Sequence, residues 1–156
     1  MVEVLTDAGI TGWGDAFAYV SPRTNLTAVE EMIAPQARGL EVPDAAGIPA
    51  FMEQIQRNLH LFGRYGITMF AISALDIALW DLKARRANLP LFRLLGGFDA
   101  RVPCYAGGID LDLSVEALLK QTDDNLAKGF RAIKMKVGRP DLAADVARVQ
   151  AMRKHL

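Results

Sequence analysis

The chain has 156 residues, with 18 Lys and Arg against 18 Asp and Glu, 51% hydrophobic residues and 8% aromatics. This length fits one ordinary domain or two partial ones, and the apolar content excludes global disorder. Net charge is zero and no Lys/Arg cluster offsets it locally, which argues against a nucleic-acid surface. The longest uncharged run, Tyr65 to Leu75, is too short to span a bilayer. Glu3 and Asp7 stand where an export signal needs a basic start and an apolar stretch. The single cysteine, Cys104, has no intrachain partner, which fits a reducing cytoplasm. His60 and His155 lie far apart, and no Cys/His cluster has zinc-ligand spacing.

Val2 to Asp7 alternates, Asp7-Ala8-Gly9 supplies turn chemistry, and Trp13 to Val20 is aromatic-rich, so the start of the chain predicts a β-hairpin. Gly12-Trp13-Gly14 is read as part of that hairpin, and Ser21 to Asn25 as a polar loop. A helix is predicted from Thr27 towards Gly39, with Pro35 kinking or ending it. A second helix fits Pro49 to Leu61, with Phe51, Met52, Ile55 and Leu59 on one side. The strongest helical pattern runs from about Thr68 to Arg86. Phe70, Ala71, Ala74, Leu75, Ala78, Leu79 and Leu82 recur at helical spacing, and Ile72, Ile77 and Trp80 widen the stripe. Asn88 and Pro90 stop it, and Leu91 to Leu95 forms a short turn closed by Gly96-Gly97.

After Gly97 the pattern changes. Arg101 to Ala106 reads as a strand, and Ser114 caps a helix carrying Val115, Leu118, Leu119 and Leu126 that ends at Gly129. Phe130 to Val137 reads as a strand, and Asp141 caps a helix with Leu142, Val146 and Val149. Strand, helix, strand, helix with short connections is the order of a parallel α/β unit. The boundary falls near Phe98.

In the strand Phe130 to Val137, period-two alternation places Ile133, Met135 and Val137 on one face and Ala132, Lys134 and Lys136 on the other. Two lysines on a buried sheet face are costly, whereas the C-terminal mouth of a closed barrel uses such groups. There, like-charge repulsion and burial would both lower a lysine towards general-base range. An edge strand with a solvated lysine face satisfies the same spacing.

The segment Gly129-Phe130-Arg131-Ala132-Ile133-Lys134-Met135-Lys136-Val137-Gly138 resembles the Lys-x-Lys strand of the mandelate racemase/muconate lactonizing family of the enolase superfamily. Three further stretches resemble the same family in family order: the hairpin from Thr6 to Asp15, the helix from Ala71 to Leu82, and the linker from Leu89 to Gly97 with the entry strand Val102 to Ala106.

The resemblance implies an α+β capping domain of a hairpin plus helices, followed by the first βα units of a truncated (β/α) TIM-type barrel. Residues 1–98 would be the capping domain, lacking its first strand, and residues 99–156 the start of the barrel. It also implies abstraction of a proton α to a carboxylate, with the enediolate stabilised on Mg²⁺. Lys136 would be the base. Lys134 would contact the substrate carboxylate or hold down the pKa of Lys136. Phe17 to Arg23 and Leu61 to Gly66 match the family's specificity loops, with Tyr19 and Arg64 as substrate contacts. A barrel takes about 250 residues, and the later strands that carry the metal ligands are not found. The chain is therefore read as an N-terminal fragment, with no Mg²⁺ expected on it alone. The polar loop and Arg64 suit a sugar acid, so the full-length parent is read as an acid-sugar dehydratase. Racemase or cycloisomerase chemistry is the alternative within the family. Outside enzyme function, the chain reads as a non-catalytic, self-associating domain. The expected partners are a small carboxylate substrate and further copies in a homo-oligomer, with no nucleic acid and no membrane, in the cytoplasm.

Overall fold

The computed structural model describes all 156 residues. It forms two compact units, Met1–Ala100 and Arg101–Leu156, each described by itself below.

The first unit opens with an antiparallel hairpin. Strands β1 (Val2–Leu5) and β2 (Thr11–Gly14) pair with Val2 opposite Gly14 and Leu5 opposite Thr11. Thr6 closes the turn: its N–H donates to the Ile10 carbonyl at 3.2 Å and its hydroxyl to the same carbonyl at 2.8 Å. Gly9 takes the left-handed conformation the turn requires. The second strand ends at Gly14, not at Val20 as the aromatic content predicts. Beyond it the aromatics serve packing: the Phe17 ring meets Phe70 edge-on at 5.2 Å.

Residues predicted as a polar loop begin a helix instead. Helix α1 (Pro22–Ala28) starts with Pro22 in its first turn, where a missing N–H costs nothing. A π-helical turn follows (Val29–Ile33), then α2 (Ala34–Ala37). Pro35 has no N–H for the Glu31 carbonyl, and its ring needs room beside it. The widened turn, with the Ala34 N–H on the Val29 carbonyl, supplies that room.

Helix α3 (Ile48–Asn58) buries Ile48, Met52 and Ile55, one residue per turn. A 3₁₀ turn (His60–Phe62) leads to α4 (Gly66–Ala87), the central helix. Asn88 ends α4 in the left-handed region. Its N–H donates to the Arg85 carbonyl and that of Leu89 to the Ala84 carbonyl, both at 3.0 Å, a Schellman closure. Helix α5 (Leu91–Leu94) completes the unit. The core joins Ala28, Ile33, Ile48, Met52, Ile55, Ala71, Ile72, Leu75 and Leu79. Ile77, expected to widen the buried stripe, is exposed.

The hairpin sits directly on the α4 backbone. A Cβ on Gly12 would lie 2.1 Å from the Ala78 carbonyl oxygen, and one on Gly14 would lie 1.9 Å from that of Ala74. Ala71, Ala74 and Ala78 are all fully buried. The alternating glycines and the helical run of alanines are two halves of one close strand–helix approach.

The second unit holds two short parallel strands, β3 (Ala106–Gly107) and β4 (Ile133–Lys134), with Ala106 opposite Ile133 and Gly107 opposite Lys134. Helix α6 (Val115–Ala127) connects them, capped by the Ser114 hydroxyl on the Ala117 N–H at 3.2 Å, and α7 (Leu142–His155) follows. The strands predicted over Arg101 to Ala106 and Phe130 to Val137 shrink to two residues each.

Helix α7 reverses the expected face. Leu142, Val146 and Val149 are exposed, while Asp145, Arg148 and Met152 are buried. The side turned inward carries a polar network, so the apolar stripe falls outside. No helix of the chain is long and apolar enough to cross a membrane.

Candidate active site

Gly107 stands opposite Lys134 in the register. A Cβ at Gly107 would lie 3.3 Å from Lys134 Cε, so the glycine leaves room for the lysine stem. The Lys134 ammonium lies 5.4 Å from the centre of the Tyr105 ring, within cation–π range. Next to Tyr105, the exposed Cys104 turns its Sγ to the Val102 carbonyl at 3.2 Å.

Lys136 lies beyond the end of β4, where no strand partner remains. Its backbone N–H donates instead to Asp110 Oδ1 at 2.7 Å. Asp110 belongs to the loop after β3 and is 1% exposed. Arg148, also 1% exposed, reaches from α7 and donates to the Asp110 carbonyl at 2.9 Å and to the Leu113 carbonyl. Arg139 donates to the Leu111 carbonyl at 2.6 Å and to that of Leu113 at 2.9 Å. Asp145 Oδ2 accepts the N–H groups of Gly138 and Arg139, at 2.5 and 2.8 Å. The Gly138 N–H holds the Asp145 carboxyl below the usual range. Burial opposes this, and the Arg139 N–H and the guanidiniums of Arg139 and Arg148 add to it.

The loops that follow the two strands are thus stitched together by two carboxylates and two guanidiniums. None of these four is singled out by the sequence pattern. Their signal was faint: Asp145, Arg148 and Met152 at helical spacing mark a face, but a charged face reads as a solvated one. Asp141 caps α7 through the Ala143 N–H at 2.9 Å.

Lys134 and Lys136 therefore stand two residues apart, at and just past a strand end. Both are exposed, whereas the alternation predicts an enclosed pair. Tyr19 and Arg64 lie in the first unit. The Tyr19 ring is 82% exposed and stacks on Phe17 at 6.2 Å, and the Asn25 amide pins the Phe17 carbonyl at 2.6 Å. Arg64 is exposed, between Gly63 and Gly66, both in the left-handed region. Its charge is a minor contributor to the lowered pKa of Glu53, behind the hydrogen bond and charge of Arg57.

A divalent cation needs several converging oxygen ligands. No three His, Cys, Asp or Glu side chains converge in this chain, so its residues do not form a site for Mg²⁺. His60 Nδ1 lies 2.8 Å from the Arg57 carbonyl and His155 Nε2 2.6 Å from Asp123, so both rings are engaged elsewhere.

The α+β unit Met1–Ala100, a hairpin seated on a long alanine-lined helix, is the part of the chain that carries the family likeness. Residues 1–96 match the family described as mandelate racemase / muconate lactonizing enzyme, N-terminal domain, and the chain belongs to that family. It is 55% identical over 156 residues to the 3,6-anhydro-alpha-L-galactonate cycloisomerase of Streptomyces coelicolor, covering 99% of this chain and 42% of that protein. A solved racemase from Streptomyces coelicolor A3(2) with bound magnesium superposes with a TM-score of 0.87 at 47% identity, over 99% of this chain and 46% of that one. The L-talarate dehydratase of Polaromonas sp. JS666, complexed with Mg and L-glucarate, gives 0.80 at 35% identity, over 98% and 40%. Other relatives are sugar-acid dehydratases and an epimerase. The chain spans less than half the length of these relatives.

Proposed function

We propose that this chain is the N-terminal part of a Mg²⁺-dependent enzyme that removes the proton α to the carboxylate of a sugar acid. The observation that carries the reading is the lysine pair. Lys134 is held over Tyr105, and Lys136 is anchored by its backbone at the end of the neighbouring loop. In this reading residues 99–156 begin a (β/α) barrel, and the lysines stand at the C-terminal ends of its strands, where barrel enzymes do their chemistry.

In this role the Lys136 side-chain nitrogen takes the α-proton. The C–H bond breaks, an N–H bond forms, and the electron pair passes into the carboxylate as an enediolate. Lys134, two residues earlier, is assigned to meet the substrate carboxylate. Loss of a β-hydroxyl as water, with a proton returned to it, then gives a dehydrated acid. Mg²⁺ belongs to the whole protein, and no residue of this chain is assigned to hold it. Tyr19 and Arg64 are proposed as substrate contacts, and a cytoplasmic homo-oligomer is the expected setting.

Dehydration suits the exposed polar side chains of Arg23, Thr24 and Arg64. The 55% identity to a cycloisomerase favours a second reading, in which the same first step ends in ring rearrangement. Both are tested by replacing the matching part of the Streptomyces coelicolor enzyme with this chain. Deuterium uptake at the α-carbon of a panel of sugar acids is measured with Mg²⁺ present, and product analysis separates the two outcomes. Lys136→Ala is expected to slow uptake by about 10²- to 10⁴-fold, and Lys134→Ala to impair binding and base activation. Uptake at the parent rate in Lys136→Ala would remove Lys136 from the role of base.

A further inference from the structure

We propose that Asp110 is the positioning residue of Lys136: it fixes the lysine's backbone through a charge-assisted hydrogen bond and so sets where the side-chain nitrogen stands. This rests on the reading of Lys136 as the base.

The argument starts from backbone accounting. A strand residue has its N–H placed by the ladder, but β4 ends at Lys134. Past that point each N–H needs another acceptor or water. In the four residues Lys136 to Arg139, three N–H groups go to carboxylates from elsewhere in the unit: that of Lys136 to Asp110, those of Gly138 and Arg139 to Asp145. Hydrogen bonds to an ionised acceptor are roughly twice as strong as neutral ones.

Asp110 is itself immobilised. Its carbonyl accepts from the buried Arg148, and the following loop is held at Leu111 and Leu113 by Arg139 and Arg148. Behind it, a Cβ on Gly108 would lie 2.9 Å from Gln121 Oε1 and 3.4 Å from Asp110 Oδ2, so the loop lies tight against α6. An acceptor fixed on several sides transmits its position to its donor. The bond spans 26 residues of sequence, so it joins two loops that no local rule connects.

The test uses the 156-residue chain, isotopically labelled. A scalar coupling across the hydrogen bond, from the Lys136 amide nitrogen to the Asp110 carboxyl carbon, is expected in the unmutated protein and needs no variant to fold. Asp110→Ala is expected to speed hydrogen exchange at the Lys136 amide by about 10- to 100-fold, with the amides of α6 and α7 unchanged. Asp110→Asn, which keeps an acceptor oxygen, restores most of the protection. Absence of the coupling, unchanged exchange in Asp110→Ala, or equal acceleration throughout α6 and α7 would overturn the proposal. In the chimeric enzyme, Asp110→Ala lowers kcat for α-proton exchange and leaves KM within about twofold. If Lys136→Ala retains full exchange, the base assignment has failed. If Lys136→Ala is inactive and Asp110→Ala keeps the parent kcat, the positioning role has failed.

Discussion

The backbone N–H of Trp13 donates to Asp81 Oδ2 at 2.9 Å, across 68 residues of sequence. The same carboxylate oxygen accepts from Arg85 Nε at 2.7 Å, one helical turn further on. One acidic side chain of α4 therefore holds the middle of β2 while a neighbouring guanidinium holds the acid. Asp81→Ala leaves the Trp13 N–H without its acceptor. The expected cost is about 0.5–1.5 kcal/mol, read as a lower urea midpoint with an unchanged denaturant slope.

Gly14→Ala tests the close approach on the same strand. Its new Cβ would fall 1.9 Å from the Ala74 carbonyl oxygen, which is backbone and cannot swing aside. The hairpin must lift from α4. A loss of about 1–3 kcal/mol is expected, whereas Gly9→Ala, where nothing lies within 4 Å, pays only for its left-handed backbone. Thermal unfolding of the two variants side by side separates collision from conformation.

Asp145 gives the second unit an acid-sensitive element. Its folded carboxyl is held below the ordinary aspartate range, first by the Gly138 N–H. A depressed pKa adds stability that is complete above the unfolded value and is lost as pH falls through the folded one. The loss is expected below about pH 4. Asp145→Asn is expected to be less stable at neutral pH and to show a flatter acid limb. An acid limb in Asp145→Asn as steep as the parent's would show that another group carries it.

Self-association is expected of the isolated chain. Tyr19, Val20, Leu61 and Tyr65 are exposed in the first unit, and Leu142, Val146 and Val149 line one side of α7 in the second. Apolar surface of this kind drives pairing. Sedimentation velocity is expected to show a mass that rises with concentration. A single monomeric species at the highest soluble concentration would count against it.

The sequence yielded those features that rest on a local repeat. Helix α4 was legible because its apolar residues recur at helical spacing over many turns, and the Ser114 and Asp141 caps because capping is a neighbour rule. The lysine pair was visible as a period of two, but that spacing also fits a solvated edge, and Lys136 lies past the end of the two-residue strand. Strand length was not, because β-rich side chains such as Phe17 and Val137 declare a preference while pairing depends on a partner. The glycines of β2 were visible, but their purpose lay in the alanines of α4, some 60 residues on. Asp110 was invisible for the same reason, since its donor is 26 residues away. The inward face of α7 was misread because binary patterning assigns Asp145 and Arg148 to solvent. They instead satisfy the backbone of two loops.

Cys104 is the sole thiol of the chain, exposed, and directly precedes the tyrosine that carries the Lys134 ammonium. The molecule thus offers a native attachment point for a fluorophore or nitroxide beside its candidate chemistry. Labelling needs no engineered residue and yields one species, because no second sulfhydryl competes. The line shape or emission of such a label would follow the Tyr105–Lys134 contact in real time as carboxylate ligands are added.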